Sequence, residues 1–145
     1  ATGAGSSASP QFVPLLEDFK RWRVTKLRQI LAMCPMPRNK VEINGHIEAL
    51  TSLNCPGVSW AWPEAERQQR QTLERFHVEH AAGLIYFLQN EARVPDVVRQ
   101  EARQYGLHDQ EFKDNNLWPW QIYVRQGRRI KGRATITQHN FTPDK

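Results

Sequence analysis

The feature that most constrains the fold is a long amphipathic stretch in the middle of the chain. Pro63 is followed by Glu64 and Glu66, a pattern that favours a first helical turn because proline suits that position and acids stabilise the positive end of the helix dipole. Apolar side chains then recur at helical spacing: Leu73, Phe76, Leu84, Phe87 and Leu88. The pattern predicts a helix over about 63–90, whose apolar stripe has to be covered by other parts of the chain.

Shorter patterns predict further elements on both sides of this helix. Apolar residues at helical spacing predict a helix over about 14–33, and a proline and a glycine bracket another over about 95–105. Alternating apolar residues predict strands at about 40–44 and 120–137. Because helices and strands do not alternate as a parallel sheet requires, we expect an α+β fold with three helices and a small antiparallel set of strands.

Chain length and local composition predict one folded domain. The chain has 145 residues, enough for a single core. Residues 1–10 consist of Ala, Thr, Gly, Ser and Pro, which cannot bury apolar surface, so we expect a disordered linker or tag remnant there. Residues 11–145 are then the single α+β domain.

The overall composition favours a cytoplasmic protein with no membrane association. No apolar run approaches the roughly 20 residues that a bilayer span needs, and no secretory signal pattern is present. Lys and Arg exceed Asp and Glu by 20 − 15 = 5, so an anionic partner is permitted. For Cys34 and Cys55 two interpretations stay open: reduced thiols, which this composition favours, or a single disulfide.

Two histidines lie three residues apart on the predicted central helix. His77 and His80 share a helix face, with Glu74 one turn earlier. This spacing can hold a divalent metal, but it lacks the i, i+4 histidine pair of the zinc hydrolases, and the sequence offers no evident third ligand. We therefore expect surface or core-edge histidines and assign no metal site.

A basic cluster follows the last tryptophans of the chain. Five cations occur within nine residues, close to three aromatic residues: Arg125, Arg128, Arg129, Lys131 and Arg133, with Trp118, Trp120 and Tyr123. Such a cluster can bind nucleic acid or an acidic protein, can contact an anionic ligand or cofactor, or can be a solvated strand face. The sequence has no glycine-rich dinucleotide motif, no phosphate-binding loop and no nucleophile elbow, so these residue patterns alone do not reveal a reaction.

The order of several short motifs carries a resemblance to a known family. Lys40–Asn44 matches a K-x-[DE]-I-N strand, and Trp60–Ala65 matches a W-x-[YW]-P-E-A helix entry. Further pieces continue the series over about 100 residues: Gly83–Leu88, Arg93–Pro95, Tyr105–Leu107, Asp109–Phe112, Asp114–Asn115, Trp118–Pro119, Gln121–Arg125, Arg128–Arg129 and Thr137–Asn140. The combination resembles the substrate-side segment of the bacterial FAD-dependent oxidoreductases, a group also called xanthan-lyase-like.

The resemblance implies part of a flavoprotein, because the family's Rossmann FAD-binding unit has no counterpart in these residues. It would be a fragment, a split subunit or a shortened relative, and it would need an FAD-binding domain or subunit as partner for redox chemistry on a small-molecule substrate. A noncatalytic basic module that binds nucleic acid or an acidic protein through Arg125–Arg133 is the alternative.

The resemblance also implies site residues. Those facing the substrate would be Trp118, Trp120, Gln121 and Tyr123; those facing FAD would be Arg125, Arg128 and Arg129; and those moving a proton would be His139 and Asn140. One departure lies between the arginines. Gln126 and Gly127 replace a pair that usually contains an acid, so we expect the arginines to be less compensated.

Overall fold

In a computed structural model of the chain, the structure describes residues 10–44, 49–55, 57–125, 127–128 and 130–141. This part contains the α-helices α1 (Leu15–Arg21), α2 (Arg67–Asn90) and α3 (Asp96–Ala102), and the antiparallel strands β1 (Ala32–Met36) and β2 (Lys40–Asn44). Short 3-10 helices lie at Pro10–Phe12, Leu27–Gln29, Val58–Glu64, Lys113–Asn115 and Gln138–Asn140. The α+β class is confirmed. The count of three helices is slightly off, because the seven-residue 3-10 helix Val58–Glu64 is a fourth.

Helix α2 confirms the central prediction but begins at Arg67 rather than at about 63. Glu66 precedes it, and the Glu66 backbone N–H donates to Oε1 of Gln69 over 3.1 Å, which satisfies one of the free donors at this helix end. The preceding residues, including Pro63, form the tighter 3-10 helix instead. Phe76 was predicted on the buried stripe, but its side chain is 41% exposed.

The predicted helix over 14–33 is wrong beyond Arg21. Most of its apolar positions are buried as expected, but Trp22 is 58% exposed. Arg23 adopts a left-handed conformation with φ 48°, and the side chain of Gln29 accepts hydrogen bonds from the backbone N–H groups of Thr25 and Lys26, each over 2.9 Å. Because the Gln29 side chain takes up these backbone donors, the chain forms the 3-10 helix Leu27–Gln29 instead of continuing α1. β1 then begins at Ala32. Helical spacing therefore located the core residues of this stretch but not their backbone conformation.

Of the two predicted strands, the one over 40–44 is confirmed and the one over 120–137 is not. β2 occupies the predicted 40–44, and β1 pairs with it in the register Met36↔Lys40 to Ala32↔Asn44. Arg38 and Asn39 close the turn with φ of 62° and 56°. The predicted strand over 120–137 is wrong for its described residues, which form no strand. A strand needs a partner ladder, and the sheet in the described residues has two strands only.

One core lies between α2, α3 and the segment from Phe12 to Leu31. It is formed by buried apolar side chains: Phe12, Leu16, Phe19, Val24, Leu27, Ile30, Leu31, Leu84, Phe87, Leu88, Val94, Val98 and Ala102. Among the described residues, no helix combines the length and apolar character that a membrane crossing requires. The predicted linker 1–10 lies outside the described residues except for Pro10.

Candidate functional site

The 3-10 helix Val58–Glu64 is fixed to α2 by three contacts. Ser59 is buried, and its hydroxyl is hydrogen-bonded to Nε2 of His77 over 3.2 Å. Arg70 donates from Nη2 to the carbonyl oxygen of Pro63 over 3.3 Å, and its guanidinium lies 5.5 Å from the ring centroid of Trp62. The tryptophan- and proline-rich segment therefore has a defined position on the helix surface.

This segment meets the basic cluster, although the two are 64 residues apart in sequence. Arg128 forms an ion pair with Glu64. Gly127 lies against Pro63 so closely that an added Cβ would be 3.1 Å from Cγ of the proline ring. Arg128 is thus compensated by an acid from elsewhere in the chain, which corrects our expectation of less compensated arginines. The sequence did not indicate Glu64 as the partner of Arg128. The one feature that could have drawn attention to Glu64 is its position directly after Trp62 and Pro63.

The connector, residues 107–117, immediately precedes Trp118 and determines its position. Phe112, Asn116 and Leu117 have φ of 51°, 52° and 68°, a left-handed conformation that is uncommon for such side chains and turns the chain sharply. The side-chain amide of Asn115 donates to the carbonyl oxygens of Trp118 over 3.0 Å and Pro119 over 3.4 Å. The connector is therefore held by its own hydrogen bonds.

Trp118 forms part of an apolar pocket of about 420 Å³. The pocket lies between α2, β2 and the connector, and its walls include Ile43, Leu53, Ile85, Tyr105, Leu107 and Trp118. None of its lining residues carries a charge. We call this the apolar pocket.

A second cavity, of about 580 Å³, lies on the other side of Tyr105–Leu107 and is lined by several charged residues. Nζ of Lys40 donates to Oε1 of Glu111 over 2.6 Å, and this contact lowers the pKa of the Glu111 carboxyl from its ordinary value. Arg38 and Asp109 also line the cavity, which we call the charged cavity. Its acids and bases therefore largely balance one another.

The other residues predicted to face a substrate do not join Trp118 in the apolar pocket. Trp120 and Tyr123 are 62% and 63% exposed, and Gln121 is exposed as well. The guanidinium of Arg125 lies 5.7 Å from the ring centroid of Tyr123. The structure thus separates the half-buried Trp118 from an exposed aromatic and basic surface.

The two residues predicted to move a proton lie near the end of the described chain. His139 is exposed, and Oδ1 of Asn140 accepts hydrogen bonds from the backbone N–H and the hydroxyl of Thr137 over 2.6 and 3.2 Å. Neither residue lines the apolar pocket. Arg129, predicted to face the cofactor, lies outside the described residues.

The histidines of α2 have separate hydrogen-bond partners. His77 contacts Ser59, whereas Nε2 of His80 donates to the carbonyl oxygen of Ser52 over 3.2 Å. His80 also stacks on Phe76 with ring centroids 6.2 Å apart. Within the described part of the chain, no group of three His, Cys, Asp or Glu side chains is arranged to hold a metal ion.

Burial lowers the pKa of His77, and the nearby His80 lowers it further. Protonation of His77 therefore costs more in the folded protein than in the unfolded chain. We expect the free energy of unfolding to be highest above the ordinary histidine pKa of 6.5 and to fall as the pH drops below it, by at most about 1.4 kcal/mol per pH unit. Urea unfolding between pH 8 and 5 measures this.

The matched control is His77→Asn, which keeps an amide beside Ser59 and removes the titrating group. Its free energy of unfolding should depend less on pH in this range than that of the unsubstituted protein. Equal pH dependence in the two proteins would contradict the assignment of the effect to His77.

The two cysteines are both free thiols in this structure. Cys34 is exposed on β1, whereas Cys55 is buried, and burial raises the pKa of the Cys55 thiol. The interpretation as reduced thiols therefore holds here.

The described residues do not fit the pyrophosphate of a dinucleotide cofactor. Such a group needs a glycine-rich turn that leads from a strand into an α-helix. Here β1 and β2 form a hairpin, α2 begins after Glu66, and α3 begins with Asp96. Carboxylates at these two helix N-termini would repel phosphate rather than bind it.

Comparison with known proteins identifies the family. The family model of the FAD dependent oxidoreductases matches residues 6–145. The chain therefore belongs to the FAD dependent oxidoreductase family, which implies FAD use and an oxidoreductase-related role. No curated protein and no solved structure matched the chain.

Proposed function

We propose that this chain is the substrate-side part of an FAD-dependent oxidoreductase of the bacterial, xanthan-lyase-like group, and that its FAD is held by polypeptide outside the described residues. The family match supports the chemistry. That FAD is bound elsewhere is supported by the described residues, which form no turn suited to its pyrophosphate. Residues 11–145 form its single domain.

The observation that carries this proposal is the exposure of the segment with most of the predicted site residues. Trp120 and Tyr123 are 62% and 63% exposed, and Ile130, Ile136 and Phe141 are 97%, 72% and 78% exposed. A segment with this many exposed large apolar side chains is a candidate surface for another polypeptide or a ligand to cover. We assign this surface, formed by the exposed residues among 120–125, 127–128 and 130–141, to contact with the FAD-binding part.

In this proposal the residues have distinct roles. Trp118 contacts the substrate from the apolar pocket, whereas Trp120, Gln121 and Tyr123 contact it only after the FAD-binding part has docked. The cofactor would be approached by Arg125, Arg128 and Arg129. His139 is the group that can accept or donate a proton, and Asn140 is a positioning residue that orders the turn beside it.

Flavin retention tests the proposal. We expect the 145-residue chain mixed with FAD to lose the flavin on gel filtration, and to co-elute with it when the enzyme's FAD-binding polypeptide is added. Ile136→Asp should weaken this association at least about tenfold, because it buries a charge in the interface. Val97→Asp is the matched control at an exposed valine on α3, and it should leave association unchanged.

Two results would contradict the proposal. Stoichiometric flavin retained by the chain alone would show that it holds FAD itself. Absence of association, together with salt-sensitive binding to generic DNA or RNA, would favour a nucleic-acid module instead, with Lys131 and Arg133 among its exposed cations.

A further inference from the structure

The apolar pocket has the size and the lining of a small-molecule site. Its volume of about 420 Å³ lies in the range of about 300–1,000 Å³ that is usual for ligand pockets. Tyr105 and Trp118 contribute aromatic walls, and Ile43 and Ile85 contribute aliphatic ones. Aromatic side chains favour flat rings in offset or edge contact, so the walls select a planar ligand.

The chemistry of the lining also restricts the ligand's charge. The pocket has no acidic, basic or histidine side chain in its wall. The side-chain amide nitrogen of Gln89 donates to the carbonyl oxygens of Ala102 over 3.0 Å and Tyr105 over 2.9 Å, so both of its hydrogens are already used. A charged group inserted here would lose hydration without gaining a charged partner.

The charged cavity lies next to the apolar pocket and differs from it in the charge of its lining residues. The two spaces share Ile43 and Tyr105–Leu107 as a common wall, but Lys40, Glu111 and Asp109 line only the charged cavity. Charged or strongly polar ligands therefore have a better site within the same region of the surface. The apolar pocket is left to uncharged ligands.

We propose that the apolar pocket binds one uncharged, planar and mostly apolar molecule of about two or three rings, which is the substrate or its ring portion. The role of this molecule as a substrate rests on the proposed function, whereas its binding does not. The test uses N-phenyl-1-naphthylamine, an uncharged dye whose fluorescence rises in apolar surroundings, with the 145-residue chain. We expect saturable binding at one site per chain.

Variants at the pocket rim locate the dye. Ala82 lines the pocket and is exposed, so Ala82→Phe should fill part of the space without disturbing the core, and should weaken dye binding at least tenfold. The matched control Ala92→Phe, at an exposed alanine beyond the pocket, should change binding less than twofold. Equal binding by Ala82→Phe and the unsubstituted chain would overturn the proposal, as would the absence of saturable binding.

A second substitution guards against misfolding of the first. Leu107 lines the pocket and is 47% exposed, so Leu107→Glu should fold and place a carboxylate at the entrance. It should weaken dye binding at least tenfold, whereas Leu107→Met should retain it. Unchanged binding by Leu107→Glu would place the dye elsewhere and overturn the proposal.

Two further ligands test charge and identity. The sulfonated analogue 8-anilinonaphthalene-1-sulfonate should displace the neutral dye at least tenfold less well, and equal displacement would overturn the selection against charge. Lumichrome, the dimethylalloxazine that remains when flavin loses its side chain, is planar but not mostly apolar. It should also displace the dye poorly, because its carbonyl and N–H groups would lose hydration in a wall that offers them few partners. Displacement at equal concentration would assign the pocket to the flavin ring and overturn the substrate assignment. These binding results are independent of whether an FAD-binding polypeptide associates, so failure of either proposal can be recognised separately.

Discussion

Leu84→Ala is expected to lower the free energy of unfolding by about 2–5 kcal/mol, the largest stability effect that we predict. Leu84 is fully buried on α2 and belongs to the core cluster that also contains Phe87 and Val98. Truncation removes the transfer free energy of three carbon atoms and leaves a cavity, because neighbouring helices close it only in part. Urea denaturation followed by circular dichroism measures the loss.

The matched control is the same substitution at an exposed leucine. Leu107 is 47% exposed, so Leu107→Ala should cost less than about 1 kcal/mol. If Leu84→Ala lowered the free energy of unfolding no more than Leu107→Ala does, our description of α2 as packed against the core through Leu84 would be contradicted.

Glu101→Ala is expected to lower the free energy of unfolding by about 1–3 kcal/mol, which is unusual for a residue that is not fully buried. Oε2 of Glu101, on α3, accepts a hydrogen bond of 2.7 Å from the backbone N–H of Leu27, a residue 1% exposed. This contact joins segments 74 residues apart in sequence. Without it, the backbone donor at the start of the 3-10 helix Leu27–Gln29 is left without its acceptor. Such an unpaired group costs more than the bond itself contributes.

Glu101→Gln separates the hydrogen bond from the rest of the side chain. Glutamine keeps an acceptor oxygen at the same reach, so its loss should be clearly smaller than that of Glu101→Ala. Amide hydrogen exchange at Leu27 should accelerate in Glu101→Ala and less so in Glu101→Gln. Equal losses in the two variants would show that packing of the side chain, and not the acceptor, stabilises the protein.

The core and the apolar pocket are built on adjoining faces of α2. Leu84 and Leu88 point into the core, whereas Ala82 and Ile85 line the pocket. Substitutions that loosen the core are therefore expected to affect ligand binding indirectly, which is why the pocket test uses the exposed positions Ala82 and Leu107. Stability and binding can then be measured on separate variants.

The limits of sequence-based prediction appear most clearly in two segments. Leu27, Ile30 and Leu31 were correctly placed in the core by their spacing, but the backbone around them forms a 3-10 turn and a strand rather than a helix. Several backbone conformations can bury the same three side chains, and the Gln29 side chain stabilises one that spacing does not distinguish. In 120–137 the alternation was real, but a strand forms only where another strand offers a ladder.

The candidate site was likewise predictable from the sequence only in part. Trp118 could be picked out from its motif, and so could the arginines that follow it. Its separation from Trp120 could not, because it depends on long-range contacts that place Trp118 at the apolar pocket and leave Trp120 62% exposed. The pairing of Arg128 with Glu64 was equally hidden, since nothing local to either residue indicates the other.

By itself, the sequence determined the family, the α+β class, the central helix and most of the buried positions. These follow from the order of motifs and from periodicities that act within a few turns or strands of chain. Only the tertiary structure decided that Val58–Glu64 meets Gly127 and Arg128, and that Trp118 lines an uncharged pocket while Trp120 and Tyr123 stay exposed. Those features depend on contacts between residues far apart along the chain, whose free energies are set only when the core has brought the segments together.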